Sequence, residues 1–293
     1  MFIVTGMHRS GTTILGEIVK RFTNGHMIYE PFNKNIGIKG IDYWYQYLDQ
    51  NNIKHIQIIN DLLEVNLDFK KIKGNSGSVL RNITGITIGS LDYLKFRYLS
   101  KKTKKDVIYK DPFMLLNTPL FSSYEKCKVL VIVRHPVAIY NSLNKRDWDF
   151  DLNELYNQPE LKNKFLDIIN INIKQKSQRV AFLWNQLYRP TFKALSNNNI
   201  LVLKHEELSS KPFNEIDKIS SFLNLPKNEK VKKFINKNFF HRNINSKNNK
   251  IHDYRRNSKQ LAWNWKKKRC KEYEVIEEIC QEGLRFFYPD MYK

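Results

Sequence analysis

The chain has 293 residues, 41% of them hydrophobic and 13% aromatic, enough to bury one large α/β core or two small ones and too much for a disordered chain. Its longest strongly apolar run, VLVIV at residues 129–133, is far too short to span a bilayer. The net charge is +21, and residues 230–271 hold fifteen Lys or Arg against one acid, Asp253. That excess suits an anionic small ligand or peripheral contact with an anionic surface. No RNP-type, zinc-finger or helix-turn-helix pattern accompanies it, so specific nucleic-acid recognition is not expected.

In chain order, FIVT (residues 2–5) reads as a buried strand. GMHRSGTT (residues 6–13) is a Gly-bracketed, hydroxyl-rich turn, after which Ile14, Leu15, Ile18, Val19 and Phe22 recur at helical spacing. DVIYK (106–110), KVLVIV (128–133) and NILVLK (199–204) are short β-branched runs of the kind buried in a parallel sheet. PVAIYNSLNK (136–145) opens on a proline suited to the first turn of a helix, and NEIDKISSFLNL (214–225) and YEVIEEICQEGLRFF (273–287) are amphipathic helices. This alternation predicts an α/β fold of three layers, a central, mainly parallel sheet flanked by helices, with ligands at the strands' carboxyl ends. Without repeats or a clear linker, residues 1–293 are expected to form one domain. Three cysteines (Cys127, Cys270, Cys280) without metal spacing fit a reducing compartment, and a loop starting at residue 6 leaves no room for a secretory leader, so a cytoplasmic location is expected.

The turn has the layout of a phosphate-binding loop: Gly6, four residues, Gly11, then Thr12 and Thr13. Backbone N–H groups of such a turn at a helix N-terminus form a concave anion site, and the two hydroxyls add donors. His8, Arg9, Ser10, Gly11, Thr12 and Thr13 are therefore the candidate phosphate-binding residues; a strand–turn–helix connection that merely contains glycines is the bland reading. A nucleotide-triphosphate P-loop would carry Lys where Thr12 stands, and a strand-end Asp for magnesium is not evident. A P-loop kinase or other NTPase-like phosphoryl transferase is thus the second reading. No metal is expected, and His8, His205 and His241 read as ordinary histidines rather than ligands.

GMHRSGTT resembles the 5′-phosphosulfate loop of sulfotransferases that use 3′-phosphoadenosine 5′-phosphosulfate (PAPS), in the R-S-G-T-T form of Golgi-type enzymes. VLVIVRHPVAIYNSL (129–143) resembles the family's 3′-phosphate segment, which maps onto Arg134 and Ser142. YKDPF (109–113) is similar to the Lys-Asp-Pro-Phe stretch of tyrosylprotein sulfotransferases, and YEPF (29–32) to the Tyr-Glu-Pro of carbohydrate sulfotransferases. NILVLKHEELSSKPFNEIDKISSFLNLP (199–226) is similar to the family's late strand, acidic turn and helix, and the agreement is collinear from residue 2 to about residue 289. Two departures stand out. His135 occupies a position where Asp is commoner, and the Gly-rich adenine-side loop of cytosolic members has no clear match. HDYRRNSKQLAWNWKKK (252–268) stands in its place, so Arg255 or Arg256, with Trp263, are assigned to cover the nucleotide.

The resemblance implies a P-loop-like fold and PAPS as sulfuryl donor, with adenosine 3′,5′-bisphosphate (PAP) as the other product. It implies a hydroxyl acceptor, foremost on a carbohydrate, with protein tyrosine or a lipid as alternatives. Segments 33–105 and 145–180 are then acceptor-binding insertions. Positioning and cationic stabilisation supply most of the rate in such a transfer. Arg9 is assigned to the bridging oxygen of the departing phosphate, Lys110 to the moving sulfuryl group, and Glu30 to the acceptor proton as general base. Bland readings remain beside these: Lys110 and Asp111 as a paired structural turn, Glu30 as a loop-shaping residue, Ser142 as a surface serine. The aromatics of DYWYQYLD (42–49) fit either core packing or a wall for a sugar.

Overall fold

The computed structural model describes residues 1–70, 106–162, 173–240 and 262–292. Five strands, β1 (Phe2–Thr5), β2 (His26–Tyr29), β3 (Val107–Lys110), β4 (Lys128–Val133) and β5 (Ile200–Lys204), form one sheet in the order β2-β3-β1-β4-β5. Every neighbouring pair is parallel, so the expected mainly parallel sheet is wholly parallel. β1 is central and buried along its whole length, Phe2, Ile3 and Val4 followed by Thr5, as a strand covered on both faces requires. The chain leaves β1 for β2 and β3 on one side and then crosses to β4 and β5 on the other. The strand order therefore reverses at β1, where an open parallel sheet leaves a crevice at its carboxyl edge.

The described helices used below are α1 (Thr12–Thr23), α2 (Ile53–Glu64), α3 (Pro136–Asn144), α4 (Lys176–Ala194), α5 (His205–Ser210), α6 (Pro212–Leu223), α7 (Glu229–Ile235), α8 (Lys271–Ile279) and α9 (Gln281–Phe287). They form the two outer layers. On one face Leu15, Ile18, Val19 and Phe22 of α1 join Ile108, Leu130 and Ile132 of the sheet with Ile216 and Ile219 of α6 and Val231 of α7. On the other, Trp184, Leu187 and Tyr188 of α4 pack with Val129, Val131, α2 and the C-terminal helices. Among the described residues no helix is long and apolar enough to cross a membrane.

Two elements differ from the sequence reading. The stretch 273–287 is two helices, broken at Cys280, whose thiol is buried against the Ala181 carbonyl at 3.4 Å. The break brings Gly283 under the indole of Trp184, where a Cβ would lie 2.5 Å from a ring carbon. Strand β2 was not anticipated: its four residues HMIY bury only Met27 and Ile28, too short a run for an alternation signal.

Candidate active site

β1 delivers the loop to the carboxyl edge of the sheet. Gly6 has φ +148°, and a Cβ there would lie 2.2 Å from the Ile132 carbonyl oxygen, so only glycine lets the chain pass β4 this closely. Ser10 N–H closes the turn on the Met7 carbonyl at 3.0 Å, and Arg9 (φ +69°) and Gly11 (φ +107°) adopt left-handed backbone before α1 begins. No side chain caps α1 and no acid stands in its first turn, which leaves its leading N–H groups and dipole to an anion. Tyr188 of α4 anchors the loop from beneath: its hydroxyl accepts the Met7 N–H at 3.0 Å and donates to the Ile132 carbonyl at 2.9 Å. A Cβ on Gly11 would lie 2.7 Å from Nδ1 of His205, so that buried nitrogen, which has no hydrogen-bond partner, borders the loop. Burial, with Arg134 nearby, pushes the His205 imidazole well below its ordinary pKa.

The end of β4 meets the loop directly. Arg134 Nη1 donates to the Arg9 carbonyl at 2.8 Å, and Arg9 Nε donates to Ser142 Oγ of α3 at 3.0 Å. Arg9, Arg134 and Ser142 thus converge from two separate segments. Arg134 Nε is buried without a partner. Burial lowers the Arg134 pKa, against the pull of Glu206 and Tyr288. Glu206 is itself fully buried, accepting from His135 N–H at 3.0 Å and from the Tyr288 hydroxyl at 2.9 Å. The His135 ring stacks on Trp265 at 3.6 Å and its Nε2 meets the Tyr292 hydroxyl at 2.8 Å. That position therefore packs the C-terminal segment. Trp263 donates to Ser210 Oγ at 3.0 Å; Arg255 and Arg256 lie outside the described residues.

β2 and β3 bring a second group to the same edge. The register sets Val4 beside Lys110 and Lys110 beside Tyr29, so Glu30 follows at the rim next to the loop. Lys110 is only 4% exposed, and its Nζ lies 2.9 Å from Glu30 Oε1. Glu30 has left-handed backbone (φ +51°), its N–H donates to the Lys110 carbonyl at 3.0 Å, and Oε2 accepts from Asn33 at 3.2 Å. Lys110 makes its ion pair with Glu30, so the Lys110–Asp111 turn pair is corrected. Asp111 uses both oxygens on backbone N–H groups, Oδ2 from Phe32 at 2.6 Å and Oδ1 from Phe113 at 2.7 Å. It ties YEPF to KDPF. Burial and the neighbouring Glu30 push this carboxyl up to about 8, against those two N–H groups and Lys110. Asp111→Ala orphans two buried donors and is expected to cost about 3 kcal/mol in urea unfolding, with Asp111→Asn losing less. An unchanged midpoint for the alanine variant would contradict this role.

A family model for the sulfotransferase domain matches residues 1–287. The chain belongs to the PAPS-dependent sulfotransferase family. The expected enzyme class, donor and three-layer α/β fold stand with that assignment. Among solved structures, this sulfotransferase is similar to the sulfotransferase domain from the curacin biosynthetic pathway, with 13% identity, TM-score 0.48, and 95% of this chain and 96% of that one covered. It is similar to mouse sulfotransferase SULT7A1 complexed with PAP (16% identity, TM-score 0.45, coverage 97% and 84%). It is also similar to retinol dehydratase in complex with androsterone and inactive cofactor PAP (16%, TM-score 0.44, coverage 99% and 83%). No curated protein sequence matches the chain significantly.

Sequence reasoning missed Tyr45, Tyr188, His205 and Glu206 as groups around the loop. Tyr45 stood within an aromatic run that offered no means of telling a loop partner from core, and Glu206 within a run of polar residues that reads as solvated.

Proposed function

We propose that this sulfotransferase moves a sulfuryl group from PAPS to a carbohydrate hydroxyl, with Arg9, Lys110 and Glu30 as the reacting-centre residues. The observation that carries the reading is the Lys110–Glu30 pair at 2.9 Å, held on the same sheet edge as a loop whose arginine touches Ser142 and, through its carbonyl, Arg134. On this reading the loop from His8 to Thr13 binds the 5′-phosphosulfate, Arg134 and Ser142 bind the 3′-phosphate, and His205, Arg255 or Arg256 attend the nucleoside. The bond between sulfur and the bridging phosphate oxygen breaks as the acceptor oxygen bonds to sulfur. The hydroxyl proton goes to Glu30 and the new negative charge to the 5′-phosphate, where Arg9 meets it with a planar donor fork. Lys110, almost wholly buried, faces the moving group from the sheet side.

A sugar acceptor is supported by YEPF and by the aromatic surface near Arg9: Trp148 is 42% exposed and lies 5.6 Å from the Arg9 guanidinium. Trp148 and Phe150 fall in the segment 145–180, which we assign with 33–105 to acceptor binding within a single domain, residues 71–105 and 163–172 lying outside the described residues. The basic stretch 230–271 is assigned to an anionic surface, supported by exposed Lys232 and Lys233 on α7. A cytoplasmic setting is supported by the free thiols of Cys127, Cys270 and Cys280.

Incubation with ³⁵S-labelled PAPS and parallel sets of oligosaccharides, tyrosine peptides and long-chain alcohols tests the acceptor. Label in the oligosaccharides is expected; label confined to peptide or alcohol would overturn the acceptor class. Stabilisation by ATP with Mg²⁺ but not by PAP would overturn the donor assignment.

A further inference from the structure

His8 sits between Gly6 and Arg9, and its imidazole lies within electrostatic reach of both Arg9 and Glu30. Its side chain and its backbone meet a single phenol. His8 Nδ1 forms a short hydrogen bond with the Tyr45 hydroxyl, and the His8 backbone N–H donates to the same oxygen at 3.4 Å. Tyr45 is fully buried, and its ring is fixed edge-on by Phe113 at 5.2 Å and Phe150 at 5.3 Å. A phenol has one proton to give. The backbone N–H can only donate, so Nδ1 is the acceptor within reach of the Tyr45 proton. Were Nδ1 itself protonated, a buried O–H would be left without an acceptor, an arrangement native structures avoid.

We propose that Tyr45 is a positioning residue that holds the His8 imidazole in the tautomer protonated on Nε2, so that His8 serves sulfuryl transfer as a neutral hydrogen-bond donor and not as a base. The bond made by one ring nitrogen decides where the proton sits on the other. Burial and Arg9 push the imidazole down to about 4, so it stays uncharged at physiological pH, and burial keeps the phenol protonated. With Nδ1 occupied and Nε2 already carrying a proton, His8 has no free lone pair for an acceptor hydroxyl. It offers an N–H to an oxygen of the transferring sulfuryl group, between the arginine assigned to the leaving phosphate and the carboxylate assigned to the acceptor proton. The role in transfer rests on the sulfotransferase reading; the tautomer does not.

The test joins a resonance measurement to three variants. In protein labelled with ¹⁵N-histidine, the His8 side-chain signals are identified by their loss in His8→Gln. The expected result is a proton on Nε2, unchanged between about pH 6 and pH 8; a proton on Nδ1, or titration in that range, would overturn the proposal. Tyr45→Phe keeps the ring and removes the hydroxyl. It is expected to mix the tautomers and lower kcat by about tenfold or more with PAP affinity unchanged. Glutamine at position 8 keeps an N–H near the place of Nε2 but has no basicity. His8→Gln is expected to stay within about tenfold of the unmodified kcat while His8→Ala falls by roughly a hundredfold. Equal loss in the two would make His8 a base and overturn the donor role, as would an unchanged kcat in Tyr45→Phe. Absence of any PAPS-dependent transfer by the unmodified protein would instead overturn the sulfotransferase mechanism, with the tautomer still decided by resonance.

Discussion

Glu30→Gln is expected to leave PAP binding intact and to lower turnover by about 10²–10⁴-fold, the usual worth of general-base catalysis. The carboxylate stands at the rim of the sheet, fixed by left-handed backbone, the Asn33 amide and the Lys110 ammonium. Glutamine keeps the size and can still accept a hydrogen bond from Lys110, while the basicity and the charge that pairs with Lys110 are removed. A carboxylate against the anionic donor would repel it, which assigns Glu30 to the acceptor side, screened by Lys110. Donor affinity is therefore the internal control, measured by calorimetry beside steady-state turnover at saturating acceptor. Near-normal kcat would contradict the assignment and return Glu30 to shaping the turn before Pro31. On the tautomer proposed above His8 would not inherit the role, because the Tyr45 contact occupies Nδ1 and Nε2 carries the proton.

Arg9→Ala is expected to lower turnover by roughly a hundredfold or more while PAP affinity stays within a few-fold. Charge accumulates on the bridging oxygen only as the bond to sulfur breaks, so a group aimed at it acts on the transition state more than on the ground state. The backbone carbonyl that accepts from Arg134 survives the substitution, and alanine tolerates the left-handed backbone no worse than arginine does. What is lost is the guanidinium and its bond to Ser142. Arg9→Lys is expected to recover part of the rate, because a point charge returns without the planar fork. A loss confined to donor binding, with kcat unchanged, would make Arg9 a group that only positions PAPS.

Much of this site was legible because its signals are local. A β-branched run, a glycine turn and an amphipathic helix follow each other between residues 2 and 23, and each forms as its own composition dictates. The place of Arg134 beside the loop was legible for a similar reason: a charge directly after a buried strand stands at the sheet's carboxyl edge, where it donates to the Arg9 carbonyl. The partnerships were not legible, because they depend on strand register. Lys110 and Asp111 are neighbours in sequence, yet strand geometry sends them apart, one to Glu30 and the other to the amides of Phe32 and Phe113. Adjacent opposite charges suggest a pair only while the β2–β3 alignment is unknown, and β2 itself is too short to announce. The same reason hides Tyr45, which is 37 residues from His8 and reaches it only once the segment after β2 folds back over the loop. His135, an apparent departure within the stretch that resembles the family's 3′-phosphate segment, becomes intelligible only with Trp265 stacked on it.

The central claim is that the loop and the end of β4 together hold a nucleotide with phosphates at both the 5′ and 3′ positions. Titration calorimetry with PAP and with AMP, on the unmodified protein and on Arg134→Ala, tests it most directly. Arg134, whose Nε is buried without a partner, should gain a charged contact worth about 1.5–3 kcal/mol from the 3′-phosphate, or roughly one to two powers of ten in affinity. The account predicts that the unmodified protein prefers PAP by that factor and that Arg134→Ala binds both nucleotides alike. Equal binding of PAP and AMP by the unmodified protein would contradict it.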